Sequence, residues 1–333
     1  MHKGIRKVLV TGGAGFIGSE FVRHSIDKGY KVVVVDKLTY AGDLLRLKDV
    51  AGRYVFYKID ICNKAKLADV VDKEKPDAII HFAAETHVDR SIQEVGAFIR
   101  TNVIGTQNLI DISRKYGINR FLHISTDEVY GESQSGRFLE TAPIKPNNPY
   151  SATKASAEML VRAAIRTYNF PAIIIRPANN YGPWQYPEKL IPVVIFKAMH
   201  NQPVPVYGRG KQIREWLYVS DCAEAIEILL EKGKIGEIYN IGSYFDRENI
   251  NTVKTILKLL DKPENLIQFV QDRAGHDFRY SVNCAKIKRL GWRAKTAIGE
   301  GMRKTVAWYM ENMKWMEDKK RFLERYWKKV YKI

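Results

Sequence analysis

The sequence predicts an α/β fold: a doubly wound parallel sheet joined to a smaller, discontinuous, mixed α/β domain. Three observations carry this: short β-branched runs that are apolar throughout, longer helical patterns between them, and a change of rhythm after Pro177. The runs are KVLVT (7–11), KVVVVD (31–36), YVFYKID (54–60), DAIIHFAA (77–84), RFLHIST (120–126) and PAIIIRP (171–177). Strands buried on both faces of a parallel sheet read in this near-continuous way, whereas half-exposed strands alternate. Helical patterns at 16–28, 92–116 and 151–168 supply the crossovers. Beyond Pro177, Pro and Gly punctuate NNYGPWQYPEKLIP and VPVYGRGKQIREW, and a helix (221–232) followed by EIYNIG (237–242) then returns to the sheet. The expected division is 1–177 plus 220–242 for the sheet domain and 178–219 plus 243–333 for the second.

A length of 333 residues with 45% hydrophobic content is ample for a buried core. Cys62, Cys222 and Cys284 are odd in number and far apart, which fits packed thiols in a reducing, cytoplasmic setting and neither a disulfide framework nor a metal cluster. The N-terminal MHKGIRKVLVTGG has too short an apolar run for a signal peptide, and no stretch is long and uncharged enough to span a bilayer, so no membrane partner is expected. The formal net charge of +17 is the unusual feature. Residues 301–333 carry ten Lys or Arg against four Asp or Glu, interleaved with Trp308, Trp315 and Trp327. An amphipathic terminal helix with charges in solvent has this composition, and so does a polyanion-binding surface. The solvated face is the favoured reading, and no nucleic-acid partner is expected.

KVLVT leads into GGAGFIG (12–18) and then into a helix. Gly13, Gly15 and Gly18 fit G-x-G-x-x-G, and Gly12, Gly15 and Gly18 fit G-x-x-G-x-x-G. Small residues here let the chain turn tightly, bring backbone N–H groups to a pyrophosphate and seat the helix against the sheet. Asp36 ends the next strand, where a carboxylate bonds the adenosine ribose hydroxyls and repels a 2′-phosphate. The context is a Rossmann site for NAD in preference to NADP, with Lys37 pulling the other way.

In PYSATKASAE, Tyr150 and Lys154 stand four apart at a helix start and share a face. An ammonium beside a phenol favours the phenolate, and a positive nicotinamide adds to it. Lowering a tyrosine from ~10 to near 7 takes roughly 4 kcal/mol, which two close cations in a dry site supply. The stretch HISTDEVYG (123–131) ends an apolar strand on Thr126, Asp127 and Glu128. Alone, two such acids more often cap a helix or sit in water.

Together these motifs resemble the extended short-chain dehydrogenase/reductase superfamily and, within it, the dTDP-glucose 4,6-dehydratase family. The matching stretches are TGGAGFIGS, DKLTYAG, DI (60–61), FAAETHVDRSI, TNVIGT, ISTDEVYG, YSATK, NNYGPWQYPEKLIP, RGKQIREWLYVSD and DRAGHDFRY, between about residues 7 and 310. Asp127 carries most of the discrimination, since related epimerases lack the acid pair and sibling decarboxylases usually have serine there. The resemblance implies NAD-dependent oxidation at carbon 4 of a hexose, loss of water across carbons 5 and 6, and return of the hydride to carbon 6, a route to rhamnose-type deoxysugars. It implies that Tyr150 takes the 4-hydroxyl proton, Thr126 holds that oxygen, Glu128 removes the carbon-5 proton, Asp127 protonates the leaving 6-hydroxyl, and Lys154 supports Tyr150. Adjacent carboxylates suit this division, because ionising one disfavours ionising the other.

The family pattern further assigns Gly12, Gly15, Phe16, Ile17, Gly18, Asp36, Lys37, Leu38, Thr39, Asp60, Ile61, Phe82, Ala83, Ala84, Glu85, Thr86, Thr101, Tyr150, Lys154 and Asn180 to NAD. A nucleotide-diphosphate sugar falls to Thr86, Asn179, Lys189, Leu190, Pro205, Val206, Tyr207, Arg214, Asn249, Arg273, His276 and Tyr280, and dimerisation to the helices at 92–116 and 151–168. No metal is implied. The departures from the pattern are these: Thr153 stands where serine is common, Pro177 and Ala178 replace a usual Cys-Ser before the Asn pair, and Cys222 stands where histidine is frequent. Two other readings remain open: a UDP- or GDP-sugar dehydratase, decarboxylase or epimerase of the superfamily, and an NAD-fold protein that binds RNA. The intact Tyr150, Lys154, Asp127 and Glu128 set argues against the second, because a binding module has no use for it.

Overall fold

A computed structural model describes residues 4–331. Seven strands form one wholly parallel sheet: β1 (Lys7–Thr11), β2 (Lys31–Asp36), β3 (Tyr54–Lys58), β4 (Ala78–His81), β5 (Arg120–Ile124), β6 (Ala172–Pro177) and, after the short strands below, β10 (Ile238–Ile241), in the order β3-β2-β1-β4-β5-β6-β10. The central strands are buried at nearly every position, as their unbroken apolar runs require. One core lies on each face, around Val8, Val10 and Ile173 on one side and Leu9, Val33 and Ile174 on the other. The chain reverses direction between β1 and β4, and ligands bind at such switch points beyond the strands' C-terminal ends.

The intervening and following segments make two small sheets, β7 (Asn179–Tyr181) with β9 (Ile213–Tyr218) and β11 (Asp246–Glu248), and β8 (Val204–Tyr207) with β12 (Ile267–Val270). A third core, with Phe196, Ile256, Tyr309 and Trp327, holds them. Val282, Cys284, Ile287 and Trp292 instead pack on the first core. Among the described residues the cysteines are free, and no helix is long and apolar enough to cross a membrane.

The helix expected at 92–116 is corrected by the structure. It comprises Val88–Gln93, a break at Glu94, a short turn at Gly96–Phe98, a π-helical stretch Ile99–Ile104 and the helix Gly105–Lys115. Asn102 lies inside the π stretch, where its side chain accepts from Glu85 N (2.8 Å) and donates to Glu85 O (3.0 Å) and Thr153 Oγ1 (3.0 Å). Fixing one buried amide to three partners is worth distorting the backbone ladder. It also accounts for Thr153, which keeps the hydroxyl that a serine would offer.

Candidate active site

A cavity of about 420 Å³ opens at the switch point between the sheet and the smaller sheets. Its floor is the glycine loop. Gly12 has φ 71°, and a Cβ there would lie 2.6 Å from Ala83 N, so glycine is required both by conformation and by the touch of the two loops after β1 and β4. Asp36 Oδ2 accepts from Ala14 N (3.0 Å) and Oδ1 from Leu38 N (2.8 Å), leaving each oxygen room for a ribose hydroxyl. Lys37 is paired with Asp60 at 2.7 Å, which occupies the cation that a 2′-phosphate would need. The donor set fits NAD. Phe16, Ile17, Gly15, Gly18, Thr39, Asp60, Ile61, Phe82, Ala84, Glu85, Thr86, Thr101 and Asn180 line the same end. Leu38 alone among the predicted residues is off the wall; its φ of 55° turns its N–H to Asp36.

The reactive groups sit where β5 ends and a long helix, Pro149–Tyr168, begins. Asn148 caps that helix through Ser151 N (2.9 Å), with Pro149 in its first turn, so Tyr150 and Lys154 are set one turn apart, both buried. Thr126 caps the turn Asp127–Tyr130 by accepting from Glu128 N at 3.3 Å. The acids are therefore not the cap. Asp127 is 1% exposed, takes a 3.3 Å bond from Thr126 to Oδ1, and its Oδ2 has no partner among the described residues.

The two carboxylates stand in different fields. Burial, then the neighbouring Glu128 and Glu215, hold Asp127 well above the usual carboxylate range. Burial also raises Glu128, but three cations, Arg273, Arg214 and Lys189, oppose it. The surroundings favour the protonated form more strongly at Asp127 than at Glu128.

The expected lowering of Tyr150 does not hold for the protein's own groups. Burial, followed by the charge of Glu128, pushes the phenol up, and Thr126 opposes this only in part. Lys154 gives its ammonium to Ile124 O at 2.6 Å and is itself drawn down to about 8 by burial. An i, i+4 spacing fixes a shared face but not which acceptor the ammonium finds.

All twelve residues expected at the nucleotide sugar line the same cavity: Thr86, shared with the NAD set, and Asn179, Lys189, Leu190, Pro205, Val206, Tyr207, Arg214, Asn249, Arg273, His276 and Tyr280. Lys189 Nζ reaches Thr86 O (3.0 Å), and the Arg214 guanidinium lies 4.4 Å from the centre of the Tyr280 ring. Burial and the two arginines drive His276 down to about 3, and its Nδ1 sits 2.6 Å from Asp272. Sequence reasoning missed His87, Asp89, Glu188 and Tyr331, which also line the cavity. Asp89 pairs with Arg273 at 3.6 Å, and Glu188 accepts from Tyr40 (2.9 Å) and Arg90 (3.0 Å). The first three lie inside THVDRS and YPEKL, beside residues already singled out; Tyr331 had no such signal.

A profile of the family described as GDP-mannose 4,6 dehydratase matches residues 9–305. The chain is 51% identical over 340 residues to the dTDP-glucose 4,6-dehydratase of Neisseria meningitidis serogroup B, covering 94% of this chain and 96% of that one. Among solved structures it resembles dTDP-glucose 4,6-dehydratase from Bacillus anthracis in complex with NAD, with a TM-score of 0.87, 42% identity, and 93% and 98% of the two chains covered. It also resembles dTDP-glucose 4,6-dehydratase from Streptomyces venezuelae with NAD bound, with a TM-score of 0.90, 43% identity and the same coverage of 93% and 98%.

Proposed function

The chain belongs to the dTDP-glucose 4,6-dehydratase family, and from that premise we propose how its own residues divide the reaction. It is an NAD-dependent nucleotide-sugar hydro-lyase that removes one water from dTDP-glucose and leaves dTDP-4-keto-6-deoxy-glucose. When bound, NAD accepts the carbon-4 hydride, returns it to carbon 6, and brings a positive ring that offsets the carboxylate field on Tyr150. Tyr150 takes the 4-hydroxyl proton and Thr126 hydrogen-bonds that oxygen. The 4-ketone makes the carbon-5 proton acidic. Glu128 removes it, Asp127 gives its proton to the departing 6-hydroxyl, and Glu128 returns a proton to carbon 5 as the hydride arrives at carbon 6.

The observation that carries this reading is the unequal environment of the two adjacent acids: burial raises both, but at Asp127 it is reinforced by Glu128 and Glu215 against Arg214 and the Thr126 bond, and at Glu128 it is opposed by Arg273, Arg214 and Lys189 with only Asp277 reinforcing it. Paired carboxyls whose surroundings push them apart are an acid and a base. Arg214, Arg273 and Lys189 supply the charge for a diphosphate. Incubation of purified protein with NAD and dTDP-, UDP- or GDP-hexoses, read by mass spectrometry, tests it: loss of one water from dTDP-glucose is expected, and loss only from a UDP- or GDP-sugar would refute the thymidine assignment.

The domain division given by the sequence, 1–177 plus 220–242 and 178–219 plus 243–333, is part of the same reading: all the NAD residues but Asn180 lie in the first, and all the sugar-nucleotide binding residues but Thr86 in the second, with the reacting groups Thr126, Asp127, Glu128 and Tyr150 in the first. The three free thiols support a reducing, cytoplasmic setting. The chain pairs with a second copy: Ile92, Val95, Ile99, Ile104 and Met159 stay 40–50% exposed on the helices expected to mediate dimerisation. A monomeric mass by light scattering would refute it.

A further inference from the structure

A buried ion pair, Arg176 with Glu158, lies behind the reacting groups, and neither member lines the cavity. Arg176, in β6, donates from Nε to Glu158 Oε2 at 3.0 Å and from Nη2 to Glu158 Oε1, a two-pronged contact with both side chains at most 1% exposed. Glu158 stands one turn beyond Lys154 on the helix Pro149–Tyr168, so the two share a face. Such a pair is a poor source of stability, because drawing both charges out of water offsets their attraction. Its contacts run to the reacting groups instead.

Glu158 Oε2 also accepts from Ser125 Oγ at 2.9 Å, one residue after Ile124, whose carbonyl takes the Lys154 ammonium at 2.6 Å. Two side chains one turn apart therefore tie the helix to two successive residues at the end of β5, and Thr126, Asp127 and Glu128 follow directly. Ser125 N donates to Ile175 O at 2.7 Å, next to Arg176, which closes the circuit through β6. The guanidinium lies 4.5 Å from the centre of the Tyr130 ring, the last residue of the turn that carries the acids, and Tyr130 Oη donates to Asn240 Oδ1 in β10 at 2.7 Å. Ser125, Tyr130 and Lys154 are themselves buried. The helix that carries Tyr150 and the turn that carries the acids meet on one carboxylate–guanidinium pair.

The charges around Lys154 fit the same arrangement. His81 on β4 and His123 on β5 face the ammonium from the sheet, and burial drives His81 down to about 3 and His123 well below the usual imidazole range, so neither is charged. Tyr150, on the same helix, is kept protonated by burial and by Glu128. Burial draws Lys154 down to about 8, and among the described residues Glu158 is the charge that opposes it.

We propose that Glu158 is a positioning residue for the reaction: with Arg176 it fixes the helix to the strand end that leads into the acids, and it serves the Lys154 ammonium as counter-ion. The proposal rests on the reading of Tyr150 and Lys154 given above. Removing the Glu158 charge takes away the anion and leaves Arg176 as an unpaired like charge, and both changes favour a neutral Lys154.

The test is the pH profile of kcat for dTDP-glucose on the full-length enzyme with NAD, beside KM and thermal melting. Glu158→Gln should move the basic limb from near pH 8 to about one pH unit lower, so that kcat falls about fivefold at pH 8 and about twofold at pH 7, with KM within about twofold of wild type. The double variant Glu158→Gln/Arg176→Gln buries no unpaired charge, so it keeps the fold, and its limb should also be lowered. Arg176→Lys keeps the cation without the fork and should hold the limb within about 0.3 pH units of wild type. A pair that only stabilises the fold would lower the melting temperature and leave the limb near pH 8, and that outcome in either Glu158→Gln protein would overturn the proposal. The unmutated enzyme gives a check that no folding defect can obscure: a buried counter-ion is hardly screened, so the limb should stay within about 0.2 pH units between about 0.05 and 0.5 M salt. A limb that travels with salt, or a kcat flat from pH 7 to 10, would overturn it as well. A wild type that leaves dTDP-glucose intact at every pH would overturn the underlying reading too, a result distinct from a working enzyme whose limb ignores Glu158→Gln.

Discussion

Replacing Asp127 by Asn separates the chemical role of this carboxyl from its structural one. The amide fills the same volume and can keep the 3.3 Å bond from Thr126, and Oδ2 has no partner among the described residues to lose, so the hydrogen-bond change is at most about 1 kcal/mol. The proton for the 6-hydroxyl is lost altogether. Removing a general acid costs roughly 10² to 10⁴ in rate, or about 3–5.5 kcal/mol of barrier, which outweighs any effect of packing. Oxidation at carbon 4 does not use this group, so reduced cofactor should accumulate during a single turnover followed by nicotinamide absorbance. Stability should move in the opposite sense. The folded-state pKa of Asp127 is raised, chiefly by burial. Below the unfolded value of about 3.9 both states hold the proton; above it the unfolded chain ionises first, and native stability falls as pH rises toward the folded pKa. Asn cannot ionise, so Asp127→Asn should melt higher than wild type at pH 7, with the gap closing toward pH 4. Wild-type turnover by this variant, or turnover reduced with no reduced cofactor formed, would refute the acid assignment.

Glu128→Gln should also stall after oxidation, and it alone should lose exchange of the carbon-5 proton with solvent deuterium; exchange at the wild-type rate would show that another base acts. Tyr150→Phe should slow the first oxidation by about 10² to 10⁴ while NAD affinity, measured by calorimetry, is kept because the glycine loop is untouched; near-normal turnover would exclude Tyr150 as the base. Lys154 is held down to about 8 by burial, so its charge is lost as pH rises through that value and kcat should fall on a basic limb near pH 8; a flat profile from pH 7 to 10 would contradict this.

Much of this was legible in the sequence for physical reasons. Burial on both faces leaves no polar alternation in KVVVVD or PAIIIRP, so the strands announce themselves. The glycine loop is local in sequence, and its residues meet one ligand within one turn. The substrate end was reached only through resemblance, because Thr86 and Lys189 or Asp89 and Arg273 meet across long stretches of chain that no periodicity links. The π-helical stretch at 99–104 holds an asparagine with three distant bonds, and the direction of Tyr150 depended on an ammonium that chose a carbonyl. The terminal helix read correctly as amphipathic, but what lay beneath its apolar side was invisible until Phe196 and His87 came to meet it.

The return strand β10 has a consequence for how the chain must be made. It pairs with β6, Ile238 beside Ile174 and Ile241 beside Pro177, but residues 178–237 are synthesised between the two. Until Ile241 has left the ribosome, β6 is an open hydrogen-bonding edge flanked by an apolar face, the kind of surface on which nascent chains stick to one another. Pairing so distant in sequence is also slow to find. Truncation after residue 177 would therefore leave a sheet permanently in its most aggregation-prone state. The NAD-binding half cannot mature ahead of the excursion that makes the first part of the other half, and biogenesis couples the two before any ligand does.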